Sequence, residues 1–349
     1  MSPGEERIMK IQKKRPRWKI WLWNKSRQIA LVVLEFLWKR VIRFFYKPDF
    51  IFLVYGQERH KRACWSERTE RRRGLLGLIG FISYRKNGKK LRGLILASTK
   101  SMEEFNASAT LAVTVTDEVR RRFPQVGAIA LAGQMPGWLA RSSGVLPQQP
   151  FIGGRRGTCF VVRQAVREIT SGVNSPTQLC VAVAGGAGHT GSEVVRVLAE
   201  DHRRVIAFDP RFKDEEAGNV VYTNNPRSLG EANVVVVLTA KGDDIEEVAR
   251  HLNLGAIVAD DTHPMMSKQI RKLFIDRGVP VFKITVADGS VSMFPRLPDF
   301  KRDDVPGCLL EALVVKLGGS QVIESQEAFN RAAEELGFKA RLEVHPDYS

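Results

Sequence analysis

Apolar and polar positions change rhythm several times along the chain, and each change marks an element. From Trp18 to Tyr46 apolar and aromatic residues recur at helical spacing, while Gln28, Glu35, Lys39 and Arg43 follow intervals of seven, four and four and so share one face. This predicts an amphipathic helix that Pro48 ends. Its longest uncharged run, Gln28 to Leu34, is too short to span a bilayer. Two readings follow: a helix lying in a membrane interface, or one docked on the protein's own core. Phe50 to Tyr55 reads as a strand, and Leu78 to Tyr84 with Leu91 to Ala97 as a hairpin about Asn87-Gly88. Ser101 with Glu104 three residues on is a capping-box pattern and predicts a helix over Ser101 to Phe123. Val126 to Ala132 is a further strand, Gly133 to Gly157 a Gly-, Pro- and Gln-rich loop, and Thr158 to Ile169 a helix. Ser171 to Pro176 then makes a linker.

Beyond Gln178 short apolar runs at Cys180 to Ala184, Val205 to Phe208, Val234 to Leu238, Ile257 to Ala259 and Val279 to Ile284 alternate with helical segments. That alternation predicts a doubly wound parallel sheet of the Rossmann type. Two helices, Val305 to Leu317 and Ser325 to Leu336, close the pattern. The expected class is therefore α/β: a basic amphipathic segment over 1–47, an α/β substrate domain over 48–176, a Rossmann domain over 177–302, and C-terminal helices over 303–349.

Charge sharpens this division. The 349 residues carry a net charge of +16, but residues 1–100 hold 26 basic and 7 acidic residues, so the remainder is slightly acidic. A partner of opposite sign is to be sought at the N-terminal part, an anionic membrane surface over residues 18–47 first among them. No nucleic-acid-binding module accompanies the basic residues, so nucleic acid is not an expected partner. The four cysteines, Cys64, Cys159, Cys180 and Cys308, lie far apart without a CxxC pair, which argues against a zinc site or a disulfide framework. No small-residue cleavage site follows the basic start, and a cytoplasmic protein, peripheral to a membrane at most, is expected.

The strand LCVAVAG runs into GGAGHTGSEVV, in which Gly186, Gly188 and Gly191 satisfy GxGxxG and Gly185, Gly188 and Gly191 satisfy GxxGxxG. Both spacings bring backbone N–H groups and a helix N-terminus to a pyrophosphate. His189 and Thr190 complete the turn, and Asp209 ends the next strand where an acid meets the ribose hydroxyls. Asp209 favours NAD, whereas Arg211 and Lys213 beside it favour NADP, so the pattern leaves the choice between NAD and NADP open. Outside this turn, Cys308 in VPGCLLEAL falls in the first turn of a helix, where the dipole lowers a thiol pKa. Its plain reading is a small buried core residue. Asp260 and His263 follow a strand at the carboxyl edge of the sheet, and Arg155-Arg156 stand in GGRRGT as either phosphate ligands or solvated cations.

Several of these segments, in order over residues 90 to 340, resemble the cyanobacterial long-chain acyl-acyl-carrier-protein reductases, which form fatty aldehydes. GKKLRGLILAS, FIGGRRGTCFVVRQAV, GGAGHTG, ADDTHP, ADGSVSM, PGCLLEAL and AAEELGF are similar to that family's successive motifs. The resemblance implies a two-domain α/β fold, an NAD(P)-dependent reduction of acyl carrier protein or CoA thioesters, and Cys308 as the acyl-accepting nucleophile. His263 stands where the family has tyrosine and is expected to assist as proton donor or carbonyl polariser. The family's arginine region is replaced by Asp209, and its N-terminus has no counterpart to residues 1–45. Two other expectations stand beside this one: an oxidoreductase of a small polar substrate resembling shikimate dehydrogenase, and a dinucleotide sensor without catalysis.

Overall fold

The computed structural model describes residues 26–57 except 27, 35, 39 and 41–44, then residue 70, 74–295, and 300–344 except 302. Residues 18–25 of the predicted N-terminal helix and Cys64 lie outside the described residues.

Two sheets organise the molecule. The first contains β1 (Phe50–Gly56), β2 (Leu76–Lys86), β3 (Lys89–Ser101), β4 (Ile129–Leu131) and β5 (Phe151–Ile152). β1 lies parallel between β3 and β4, and β2 pairs antiparallel with β3. The hairpin turns as its sequence predicts, with Asn87 at φ 50° and Gly88 at φ 75°, the left-handed pair such a two-residue turn requires. The second sheet runs through β6 (Cys180–Ala184), β7 (Arg204–Phe208), β8 (Glu215–Ala217), β9 (Val220–Thr223), β10 (Val234–Val237), β11 (Ile257–Asp260) and β12 (Val281–Ala287). β12-β11-β10-β6-β7-β9 are mutually parallel, with β6 at the centre flanked by β10 and β7. This is the doubly wound α/β arrangement read from the alternation. Every residue of β6 and β10 is buried, as a strand covered on both faces must be.

Among the described residues the α-helices are α1 (26, 28–34, 36–38 and 40), α2 (Met102–Ala107), α3 (Leu111–Arg122), α4 (Met135–Ser143), α5 (Arg155–Thr170), α6 (Gly191–Asp201), α7 (Lys268–Ile275), α8 (Gly307–Gly318) and α9 (Gln326–Glu335). The capping box at Ser101 and Glu104 forms, but the helix it starts breaks after Ala107. Ser108 then accepts from the Leu111 amide at 3.1 Å and restarts the chain as α3. The segment read as loop from Gly133 contains α4, opened by Pro136 in its first turn and closed by Gly144 in the left-handed region.

The chain does not keep to the boundaries of its sequence pattern. After β12 it returns to the first sheet as β13 (Val291–Phe294), antiparallel to β2, so the ADGSVSM segment ties the two units together. It then re-enters the second sheet as β14 (Asp304–Val305) and again as β15 (Ala340–Val344), both antiparallel to β12. Asp304, fully buried, accepts from Lys283 Nζ at 2.7 Å, Arg341 Nη2 at 2.8 Å and the Lys301 amide at 2.8 Å. One buried carboxylate thus pins three strands, with both of its oxygens hydrogen-bonded.

Candidate active site: a glycine turn and a cysteine facing each other

The glycine-rich turn is built as its spacing implies. Gly185 leaves β6 at φ +92°, a backbone only glycine takes without strain. The amides of Gly185 and Gly186 donate to the Phe208 carbonyl at 2.9 and 3.0 Å, lashing the turn to β7. A Cβ on Gly191 would stand 2.1 Å from the Gly185 carbonyl oxygen, so the absence of a side chain lets α6 start directly over the turn. Thr190 precedes α6 without a side-chain cap, and His189 Nε2 is buried with no hydrogen-bond partner. Burial, and next the charge of Arg155, hold the His189 imidazole below its ordinary pKa and therefore neutral. A helix N-terminus without a cap, a turn cleared of Cβ atoms and an orphaned buried ring nitrogen fit a bound dinucleotide pyrophosphate.

At the end of β7, Asp209 accepts from Arg211 Nε at 2.8 Å and Nη2 at 2.9 Å, and from the Arg211 and Ala187 amides at 3.1 and 3.3 Å. Burial, the largest influence on this carboxyl, raises its pKa, but the Arg211 and Ala187 hydrogen bonds outweigh it and keep it below the usual range. The two residues that pulled the cofactor expectation in opposite directions are thus paired with each other.

Opposite the turn, the starts of α5 and α8 interlock. A Cβ on Gly154 would lie 2.6 Å from Cys308 Cα, and one on Gly157 would lie 2.0 Å from the Gly307 carbonyl oxygen. The Gly157 amide donates to Glu311 Oε2 at 3.0 Å, so a carboxylate from α8 occupies the amide end of α5. Arg155 reaches across to Glu193 in the first turn of α6 at 2.8 Å. GGRRGT therefore serves as a joint between elements, and Arg155 is an ion-pair partner within the fold and not a solvated cation.

Cys308 lies in the first turn of α8, half-buried, with the amides of Gly133, Leu309 and Cys308 itself directed at its sulfur. The expected low thiol pKa is not found. Burial pushes it up to about 12, the nearby Asp261 carboxyl adds to the rise, and the three amides only moderate it. Desolvation of the thiolate outweighs the helix terminus, so the group is a thiol at rest.

The carboxyl whose charge reaches Cys308 is that of Asp261, a residue without its own sequence signal. Its amide donates to the Val237 carbonyl at 3.2 Å, placing it at the carboxyl ends of β10 and β11. Burial, then Asp260, raise the Asp261 carboxyl to about 8, with Lys283 opposing. Asp260 itself is structural: fully buried, it accepts from the Thr262 amide and hydroxyl at 2.9 and 2.6 Å and from the Met266 amide at 3.0 Å. His263 stacks on Phe300 with centroids 4.5 Å apart, and the Lys283 ammonium lies 4.9 Å from the same ring.

Tyr55, at the end of β1, is the second residue without a sequence signal. Its hydroxyl accepts from the Gln134 amide at 2.9 Å, and its ring packs edge-on to Trp138 with centroids 4.7 Å apart. Burial, and the Cys308 sulfur among lesser influences, raise the phenol above its ordinary range. Val126, Ala128 to Leu131 and Trp138 are packed core beside it.

No family model matches the chain, and no curated protein matches it. Among solved structures it is similar to shikimate dehydrogenase from Aquifex aeolicus (12% identity, 82% of this chain and 97% of that one, TM-score 0.42). It is also similar to L-tryptophan dehydrogenase from Nostoc punctiforme (13% identity, 83% of each chain, TM-score 0.38). A third is an NAD-complexed D-isomer specific 2-hydroxyacid dehydrogenase from Lactobacillus delbrueckii ssp. bulgaricus (12%, 67% and 78%, TM-score 0.31).

Proposed function

We propose that the protein is an NAD(P)-dependent oxidoreductase that reduces an acyl thioester, carried on acyl carrier protein or CoA, to an aldehyde through an acyl group on Cys308. The observation that carries the reading is the placement of Cys308: a thiol approached by the backbone amides of Gly133 and Leu309, within the influence of a carboxyl of raised pKa, and packed on Gly154 next to Gly153, which abuts His189 of the glycine turn. The resemblance of PGCLLEAL to the acyl-accepting segment of the reductases supports the same residue.

The dinucleotide would be held by the turn from Gly185 through Gly186, Gly188, His189 and Thr190 to Gly191, with Asp209 and Arg211 at the ribose, and when bound it supplies the hydride. The chain's own residues do the rest. As the Cys308 sulfur attacks the carbonyl carbon, Asp261 in its ionised form accepts the thiol proton and passes it to the departing carrier thiolate. In this reading the amides of Gly133 and Leu309, which approach the sulfur, would also donate to an oxyanion on that carbon. Because the thiol is protonated at rest, the nucleophile is generated only when a carbonyl is in place.

A second reading is favoured by the same high thiol pKa: Asp261 and Tyr55 exchanging a proton with a small polar hydroxyl or carbonyl substrate, without covalent attachment, as a dehydrogenase. Intact-mass spectrometry of the whole protein after incubation with acyl-CoA species of several lengths, without cofactor, separates the two. The thioester reading expects one acyl group added at Cys308 and none in Cys308→Ser. An unmodified wild type that nonetheless binds the dinucleotide would leave the second reading standing.

A further inference from the structure

The N-terminal helix α1 meets both of the conditions its sequence left as alternatives, each with a different side. Leu31, Leu34 and Trp38, spaced by three and four, turn inward: Leu31 is 3% exposed in the core, and Trp38 packs against Tyr46, Phe81 and Phe123 with centroids 6.0–6.4 Å apart. Ile29, Val33 and Phe36, spaced by four and three, point away and are 64%, 51% and 60% exposed, with Val32 and Leu37 at their flanks. At 100° per residue these two stripes lie on opposite sides of the helix. A helix that had only to dock would carry polar residues on its outer side, so the outward apolar stripe calls for an occupant.

Charge selects the occupant. Between residues 25 and 47 the sequence has six basic residues, Lys25, Arg27, Lys39, Arg40, Arg43 and Lys47, and one acidic residue, Glu35. Arg40 stands beside the outward stripe, its guanidinium 5.9 Å from the Phe36 ring centre. Two copies of so basic a segment would repel each other, whereas an exposed apolar stripe with Arg40 beside it, on a segment of net positive charge, matches an anionic lipid surface, taking the apolar side chains below the headgroups and cations among them. Among the described residues no helix is long and apolar enough to cross a membrane. We infer that the outer face of α1, through Ile29, Val33 and Phe36, seats the folded protein on an anionic bilayer while Leu31, Leu34 and Trp38 hold the helix to the body. This inference does not depend on which substrate the active site takes.

The test is sedimentation of the full-length protein with vesicles of phosphatidylcholine alone or mixed with phosphatidylglycerol, alongside Val33→Asp and Phe36→Asp. The wild type should partition onto the mixed vesicles and lose about tenfold or more in affinity on phosphatidylcholine alone, since each interfacial cation adds roughly 1 kcal/mol. Either variant should lose about tenfold on the mixed vesicles, with an unchanged thermal midpoint because both positions face outward. Equal partitioning of wild type and both variants, or no vesicle binding by the wild type, overturns the inference. So does a wild-type dimer that Phe36→Asp converts to monomer, since the stripe would then be a contact between copies.

Discussion

The state of the Cys308 thiol is the point at which the structure reverses an expectation most sharply, and it is directly measurable. A free cysteine of pKa about 8.5 is roughly 3% thiolate at pH 7. With the group pushed up to about 12, that fraction falls to roughly 10⁻⁵, a difference of about 5 kcal/mol in forming the nucleophile. Cys308 is half-buried, and the solvent it reaches trims this figure, so alkylation by iodoacetamide should run about a hundred- to a thousandfold slower than for a free thiol at pH 7. Its rate should climb with pH to beyond pH 10 without levelling near 8.5. Asp261→Asn should accelerate it above pH 8, where the wild-type carboxylate is charged, and change it little at pH 6, where that carboxyl is already neutral. Peptide mapping after timed alkylation keeps Cys308 apart from Cys64 and from Cys159 and Cys180, whose buried thiols are also raised. An alkylation rate equal to that of a free cysteine, with a break at or below 8.5, would refute the desolvation argument and restore the helix-terminus thiolate.

Three further outcomes follow from the same physics. Asp261 has a folded-state pKa of about 8 against an ordinary 3.8, so its contribution to stability is whole below about pH 4 and is lost as pH rises through 8, at up to about 1.4 kcal/mol per pH unit. Urea unfolding at pH 5 and pH 8 should show this loss in the wild type and little of it in Asp261→Asn; equal slopes would contradict the assignment. Asp209→Ala frees the Arg211 guanidinium at the ribose position and should move the ratio of NAD to NADP affinities toward NADP in calorimetry; a ratio unmoved or shifted toward NAD would remove these two residues from the cofactor site. Lys283→Met leaves the fully buried Asp304 carboxylate short of one cation and should cost about 3 kcal/mol in denaturant unfolding, whereas a loss below roughly 1 kcal/mol would mean that Arg341 alone satisfies it.

The elements that local physics dictates are the ones the sequence made legible. Five-residue apolar runs such as CVAVA have no stable place except a strand covered on both faces, and Asn87-Gly88 and Gly185 take backbone conformations, at φ 50°, 75° and 92°, that their residue types favour locally. The doubly wound sheet, the hairpin and the dinucleotide turn follow from the chain alone. The Ser101 helix failed at Ser108 because a single hydroxyl competed locally with the next helical hydrogen bond, and α4 was missed because Gly- and Pro-rich composition outweighed its short apolar face.

What only the tertiary structure decided is which groups share a site and in what state. Asp261 carries the same local signal as Asp260 beside it, yet one is saturated by Thr262 and Met266 and the other is left near Cys308, because side chains at successive positions leave the backbone in different directions. Tyr55 gains its place from the Gln134 amide, 79 residues away, and the Cys308 pKa is set by burial between α8 and the first sheet. The helix terminus is a local property visible in PGCLLEAL; the desolvation that overrides it is a property of everything packed around the sulfur, and it exists only once the chain has folded.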